Sequence, residues 1–151
     1  MIPDEARIIK LFSIRNIFPI IKLKIYGFKF NPKDYEKPLF RMQLINKIYE
    51  YFPIIFSSIG IEAECEHVQL TPNYINNLCR LGIIEISESI IADHNLYEKL
   101  ENHLDIQEFK RIFDEKEPEK TVIFERGMLG VTILGKQFCK SCSFDRNWNF
   151  I

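Results

Sequence analysis

Apolar residues recur along this chain with two periods, and the switches between them mark the elements. Residues 71–86 show this most clearly. Tyr74, Ile75, Leu78 and Leu81 fall at helical spacing, and Ile83, Ile84 and Ile86 then cluster as β-branched residues that favour a strand. Thr71 predicts an N-cap whose hydroxyl accepts from the first turn, with Pro72 at N1, where no amide is lost. Gly82 follows the last periodic residue, where the chain needs a left-handed backbone to leave the helix.

The same reading extends in both directions. Residues 3–12 predict a first helix, with Pro3 at its start, Asp4 and Glu5 suiting the dipole of the first turn, and Ile8, Ile9, Leu11 and Phe12 as its packing stripe. No polar residue precedes Pro3 to cap it, which points to the boundary of a longer protein. Residues 20–26 alternate Ile21, Leu23 and Ile25 with Lys22 and Lys24, the pattern of a strand with one wet face. Residues 27–37, with Gly, Pro, Asn and Asp, predict a loop. Residues 38–52 predict a second helix with Phe40, Ile45, Ile48, Tyr49 and Phe52 on one side, stopped by Pro53. Residues 54–70 fit either a short helix or an irregular approach to Thr71.

Beyond the central unit, residues 96–113 predict one long helix with Tyr97, Leu100, Leu104, Phe109, Ile112 and Phe113 as its buried stripe. Residues 121–125 and 129–132 predict two strands of a hairpin around Arg126, Gly127 and Met128, with Gly127 at positive φ. Thr132 then caps a last helix to about residue 142. Gly135 inside that helix costs roughly 1 kcal/mol against Ala, so it implies a close packing contact. Residues 144–151 form a tail with Phe144, Trp148 and Phe150, either folded back on the domain or serving as a contact surface. A capped helix turning on glycine into a strand, set in this order of elements, is the plan of a winged helix. The expectation is therefore an α+β, winged-helix-like domain over residues 1–143, with a helical insert at 96–113 and a closing C-terminal helix.

Composition narrows the function classes. At 151 residues, with 46% apolar residues and 13 Phe, the chain is long and hydrophobic enough for a core of its own. The net charge of −1 gives no bulk attraction to nucleic acid or an anionic membrane. Its distribution is uneven. Residues 1–50 carry ten Lys/Arg against five Asp/Glu, whereas residues 51–120 carry six against fourteen. That asymmetry fits self-association or an oriented partner, or else ordinary surface charge. No apolar run approaches the roughly 18 residues of a membrane span, and Asp4 and Glu5 break any signal-peptide pattern. A cytoplasmic protein with its four cysteines reduced is expected.

Candidate chemistry is sparse. Cys139 and Cys142 form a C-x-x-C, but a zinc site would need Cys65, His67 or Cys79 to complete it, and a redox pair would need a thioredoxin-like setting. His67, His94 and His103 have no ligand spacing, and six scattered glycines make no phosphate-binding loop. The sequence thus predicts no catalytic residue, metal, cofactor or small-molecule substrate. DNA binding would use the outward positions of the 71–81 helix, Asn73, Asn76, Asn77 and Arg80, with Arg126 at a hairpin tip and Lys136 and Lys140 beyond it. Asn can read adenine edges, but one Arg on the helix neutralises little phosphate. Asn73, Asn76, Arg80, Arg126 and Lys136 are accordingly the candidate contacts for DNA or for a protein partner. The alternative for Asn77 and Arg80 is that they hold the helix end together.

Three stretches in order carry a family likeness: Pro3-Asp4-Glu5-Ala6-Arg7-Ile8-Ile9, then Asn77-Leu78-Cys79-Arg80-Leu81-Gly82-Ile83-Ile84, then Val131-Thr132-Ile133-Leu134-Gly135-Lys136-Gln137-Phe138 with Cys142 after it. Together they resemble the abortive infection alpha family over roughly residues 3–142. The resemblance implies a bacterial phage-defence setting and a C-terminal domain of a longer protein, and it brings no catalytic residues. The combined expectation is a non-enzymatic protein-interaction domain, binding a partner or itself through the aromatic tail or the 40–56 region. A DNA-binding regulator is the alternative.

Overall fold

In a computed structural model, residues 2–44, 49–50 and 55–142 are described. The strand that organises them is β1 (Ile17–Tyr26), which pairs antiparallel along its whole length with β5 (Thr121–Val131), from Ile17 opposite Gly130 to Tyr26 opposite Thr121. On its other side β1 pairs with β3 (Ile55–Phe56) at Ile21 and Lys22, and with β2 (Tyr49–Glu50) at Ile25 and Tyr26. The far side of β5 takes β4 (Ile84–Ser87), so β5 lies between β1 and β4. Among the described residues, seven α-helices complete an α+β domain: α1 (Pro3–Ile14), α2 (Pro38–Leu44), α3 (Ile59–Glu62), α4 (Thr71–Arg80), α5 (His94–Glu101), α6 (Leu104–Lys116) and α7 (Ile133–Ser141).

Side chains alternate across a strand, so the register sorts the sheet into two faces. Phe18, Ile20 and Leu129 share one face and pack with Ile8, Ile9 and Phe12 of α1, Ile75 and Leu78 of α4, Ile59 of α3 and Cys139 of α7. Farther along the same face Tyr26 and Ile123 meet Leu44, Phe28, Phe30 and Tyr35. Ile21, Leu23 and Phe124 share the opposite face, beneath Tyr97 and Leu100 of α5 and Ile106 and Phe113 of α6.

The α4–β4 junction follows the sequence closely. Gly82 has φ +76°, its amide donates to the Cys79 carbonyl, and the Ile83 amide donates to the Leu78 carbonyl. These two bonds are a Schellman motif, which satisfies carbonyls the helix end would otherwise orphan. The start of the helix differs. A 3₁₀ turn at Val68–Leu70 runs straight into it, so Thr71 is its first residue and its hydroxyl donates to the Val68 carbonyl at 2.6 Å instead of accepting from the first turn. Thr132 does cap α7, accepting from the Gly135 amide at 2.9 Å. A Cβ on Gly135 would lie 2.1 Å from the Ile83 carbonyl oxygen, the close contact its presence implied.

Other expectations are corrected. Residues 121–131 form one continuous strand instead of a hairpin, and Gly127 sits in mid-strand opposite Ile20. The need for glycine there is tertiary, because a Cβ would lie 2.9 Å from the Ser87 carbonyl oxygen on β4. The helical insert expected ahead of residues 121–132 is present, and α5 and α6 join β4 to β5. The long helix predicted over 96–113 is two, because His103 Nδ1 accepts from the Asp105 amide at 3.2 Å and caps a new helix. Leu104 is consequently 81% exposed, and Ile106 takes the buried place in the stripe. β1 has no wet face: Lys22 and Lys24 lie between two apolar clusters and share Glu125 on β5, at 4.0 and 3.1 Å. Burial alone would lower the Lys24 pKa, but Glu125 reverses it and raises it. The second helix is described over Pro38–Leu44, and Tyr49–Glu50, expected within that helix, is instead a short strand on the edge of β1. Ile45, Ile48, Phe52 and the tail with Phe144, Trp148 and Phe150 lie outside the described residues. Residues 55–70 resolve into β3, α3 and the 3₁₀ turn.

Candidate functional site

The first turn of α1 meets α4 through two buried carboxylates. Asp4, only 3% exposed, accepts from the backbone amides of Glu66 and His67 at 2.9 and 3.0 Å, from the Tyr74 hydroxyl at 2.9 Å, and from Arg7. Burial would raise its pKa, but these donors outweigh it and hold the group at about 2. Tyr74 responds in the opposite sense, pushed up to about 12 by burial and by Asp4. Glu5 accepts from Asn77 Nδ2 at 2.8 Å through Oε1, while Oε2 is buried with no hydrogen-bond partner among the described residues. Asn77 Oδ1 in turn accepts from Arg80 Nε and Nη2 at 3.2 and 2.7 Å. Arg80 and Asn77 thus tie the end of α4 back to α1. Sequence reading saw Asp4 and Glu5 as dipole partners and missed this role. The signal was two acids on a helix whose other positions supply core.

Asn73 and Asn76 are exposed on α4, as helical phase predicts. Lys136 is exposed on α7 and borders a hollow of about 280 Å³ with Phe12, Asn16 and Lys140. The end of α4 and the start of α7 meet directly, since the Thr132 hydroxyl donates to the Gly82 carbonyl at 2.6 Å. Arg126 is elsewhere. As the register partner of Ile21 it projects from the opposite face of the sheet, under α5. There its Nη2 donates to Glu101 at 2.6 Å, its Nη1 lies 3.0 Å from His94 Nδ1, and its guanidinium stands 5.2 Å from the centre of the Tyr97 ring. The fold therefore brings Arg80 and Lys136 to one side of the sheet and puts Arg126 on the other. Tyr97, fully buried, accepts from the Ile91 amide and donates to the Gly127 carbonyl at 2.8 Å, pinning α5 to β5.

Cys65 and Cys139 are buried, with Sγ 3.6 Å from the Asp4 carbonyl and 3.9 Å from the Ile9 carbonyl respectively, whereas Cys142 is exposed. Burial pushes Cys65 and Cys79 up to about 11 and also raises Cys139. At neutral pH these three are thiols and not thiolates, hence poor nucleophiles.

On the insert side a cleft of about 290 Å³ opens between the α3–α4 corner and the α5–α6 joint. Ile55, Phe56, Leu100 and Ile106 supply apolar surface, with His103 and Asp105 among the polar residues that line it. No described helix is long and apolar enough to cross a membrane.

Comparison with known proteins fits this architecture. The fold is similar to that of an uncharacterized protein from the hydrocarbon-degrading marine bacterium Alcanivorax borkumensis, with a TM-score of 0.57 and 19% identity over 95% of this chain and 87% of that one. At that identity the likeness speaks to fold alone. No curated protein matches. The family described as abortive infection alpha matches residues 1–142, which hold all three of the ordered stretches and every described element of the fold, so the chain belongs to the abortive infection alpha family.

Proposed function

We propose that this chain is a non-enzymatic interaction module of a bacterial phage-defence protein, built on a winged-helix plan and binding protein, either a partner or a second copy. Connectivity supports the plan: α1, β1, α3, α4, β4 and β5 follow in winged-helix order, with β5 between β1 and β4. In place of the wing stand α5 and α6. The observation that carries the protein-binding reading is Arg126. The cation expected at a wing tip is instead held by Glu101 and Tyr97 beneath α5, so it offers no charge to a phosphate backbone. Membership of an abortive-infection family supplies the biological setting.

A second reading, a DNA-binding regulator, is favoured by Asn73, Asn76, Arg80 and Lys136, which are exposed on α4 and α7. Anisotropy of a labelled duplex, titrated across a salt series, separates the two. The expected result is no salt-dependent binding even at low salt. Salt-sensitive binding that Arg80→Ala and Lys136→Ala both abolish would overturn the protein-binding reading. Sedimentation velocity over a concentration series then distinguishes self-association from a separate partner.

A further inference from the structure

The helix expected across residues 96–113 breaks at residues 102–103, and the break exposes apolar surface. Leu104, on the helical apolar stripe, is 81% exposed. Leu104 lies beside the cleft and not in its lining, where Ile61 is 57% exposed and Val68 38%. Exposed apolar residues grouped around a concavity mark interaction sites more often than scattered ones do. A continuous helix would have kept Leu104 in the buried stripe. Departure from the local pattern at such a place is expected where function has overridden it.

Size and charge identify what fits. Small-molecule sites run about 300–1,000 Å³, so a cleft of about 290 Å³ is at the floor of that range and suits a single large side chain better than a cofactor. No Lys or Arg lines it, and Asp105 does. Every lining residue falls within residues 51–120, the stretch that carries six Lys/Arg against fourteen Asp/Glu. An apolar slot with Asp105 in its lining, set in the acidic part of the chain, complements a segment that is apolar on one side and basic on the other.

We propose that this cleft is the anchor site for one aliphatic or aromatic side chain of a basic, amphipathic segment of a partner protein. The proposal rests on the protein-binding reading above and gives that reading a place and a chemistry. Ile55, Phe56, Leu100 and Ile106 bury the anchor, and Asp105, with the acidic stretch it belongs to, selects its basic flanks. Burial of one anchor in a preformed pocket dominates affinity, and rim charges set selectivity and encounter rate.

The test uses isotope-labelled full chain and two synthetic amphipathic peptides, one of leucine and lysine and the other of leucine and glutamate. Amide chemical shifts should move at Ile61, Val68, His103 and Ile106 with the lysine peptide and stay in place with the glutamate peptide. Ile61→Glu and Asp105→Lys, both at exposed positions that leave the core intact, should each weaken lysine-peptide binding by about tenfold. Leu39→Glu, at an exposed apolar position on α2, should leave it unchanged. Equal binding of both peptides, no binding of either, or shifts centred on Leu81, Ile133 and Leu134 instead would overturn the proposal. Shifts at that second surface would leave the protein-binding reading standing. Duplex DNA binding in the anisotropy titration would remove that reading separately.

Discussion

The two faces of the sheet are secured by different chemistry. Under α1, α3, α4 and α7 the attachments are buried and tightly fitted. Asp4 collects four donors from three separate segments, and Gly60 and Gly135 let backbone and side chains approach where a Cβ would collide with Thr71 and Ile83. Under α5 and α6 the contact is mainly apolar, with one buried hydroxyl, that of Tyr97, and an ion pair at the rim between Arg126 and Glu101. The first face has little room to adjust. The second meets the sheet through side chains that can shift, and it borders the open cleft. The fold has thus divided tight fit and adaptability between its two faces.

That contrast can be broken by substitution. The largest effect is expected at Gly135. Gly135→Val should cost more than about 4 kcal/mol and abolish the cooperative melt, because backbone is what it strikes. Gly130→Ala, with nothing within 4 Å of the added Cβ, should scarcely move Tm. Asp4→Ala should follow at about 3–5 kcal/mol, measured by urea unfolding, since it leaves buried donors without their acceptor. Its pH signature is distinct. The folded pKa of about 2 lies below the ordinary 3.8, so the wild-type contribution is complete above about pH 4 and is lost as pH falls towards 2. The variant should lose that part of the acid dependence.

On the second face the effects should be smaller. Tyr97→Phe removes the bonds to Gly127 and Ile91 and should cost about 1–3 kcal/mol in the same measurement. Glu101→Gln, at a partly exposed pair, should cost under about 1 kcal/mol, and the cost should shrink with added salt. If Glu101→Gln matched Asp4→Ala, the division between the faces would not hold.

What the chain disclosed in advance followed from how local each cause was. Gly82 and Thr132 act on residues within one turn, so their roles were legible, as was the exposure of Asn73, Asn76 and Arg80 from helical phase. Gly127 was misread because its reason for being glycine is the Ser87 carbonyl on a neighbouring strand. Arg126 was misplaced with it, since a mid-strand residue under a helix was taken for a hairpin tip. The break at His103 escaped because an imidazole accepting an amide is an uncommon cap, and the apolar period runs through it undisturbed. Asp4 carried a local explanation, the helix dipole, that concealed a distant one. The amides that bind it belong to Glu66 and His67, and no periodicity links them to α1.

The long β1–β5 ladder has a consequence for how the protein is made. Ile17 pairs with Gly130 and Tyr26 with Thr121, so the central pairing closes a long loop that spans everything between residues 26 and 121. At a synthesis rate of about 5–20 residues per second, β1 waits on the order of ten seconds for its partner strand to emerge. During that wait an apolar strand with unpaired edges is open to pairing with other chains. Such non-local pairing also slows folding after release. The nascent chain is thus vulnerable until residues 121–131 are made, and a ribosome-associated chaperone would find a client segment in residues 17–26.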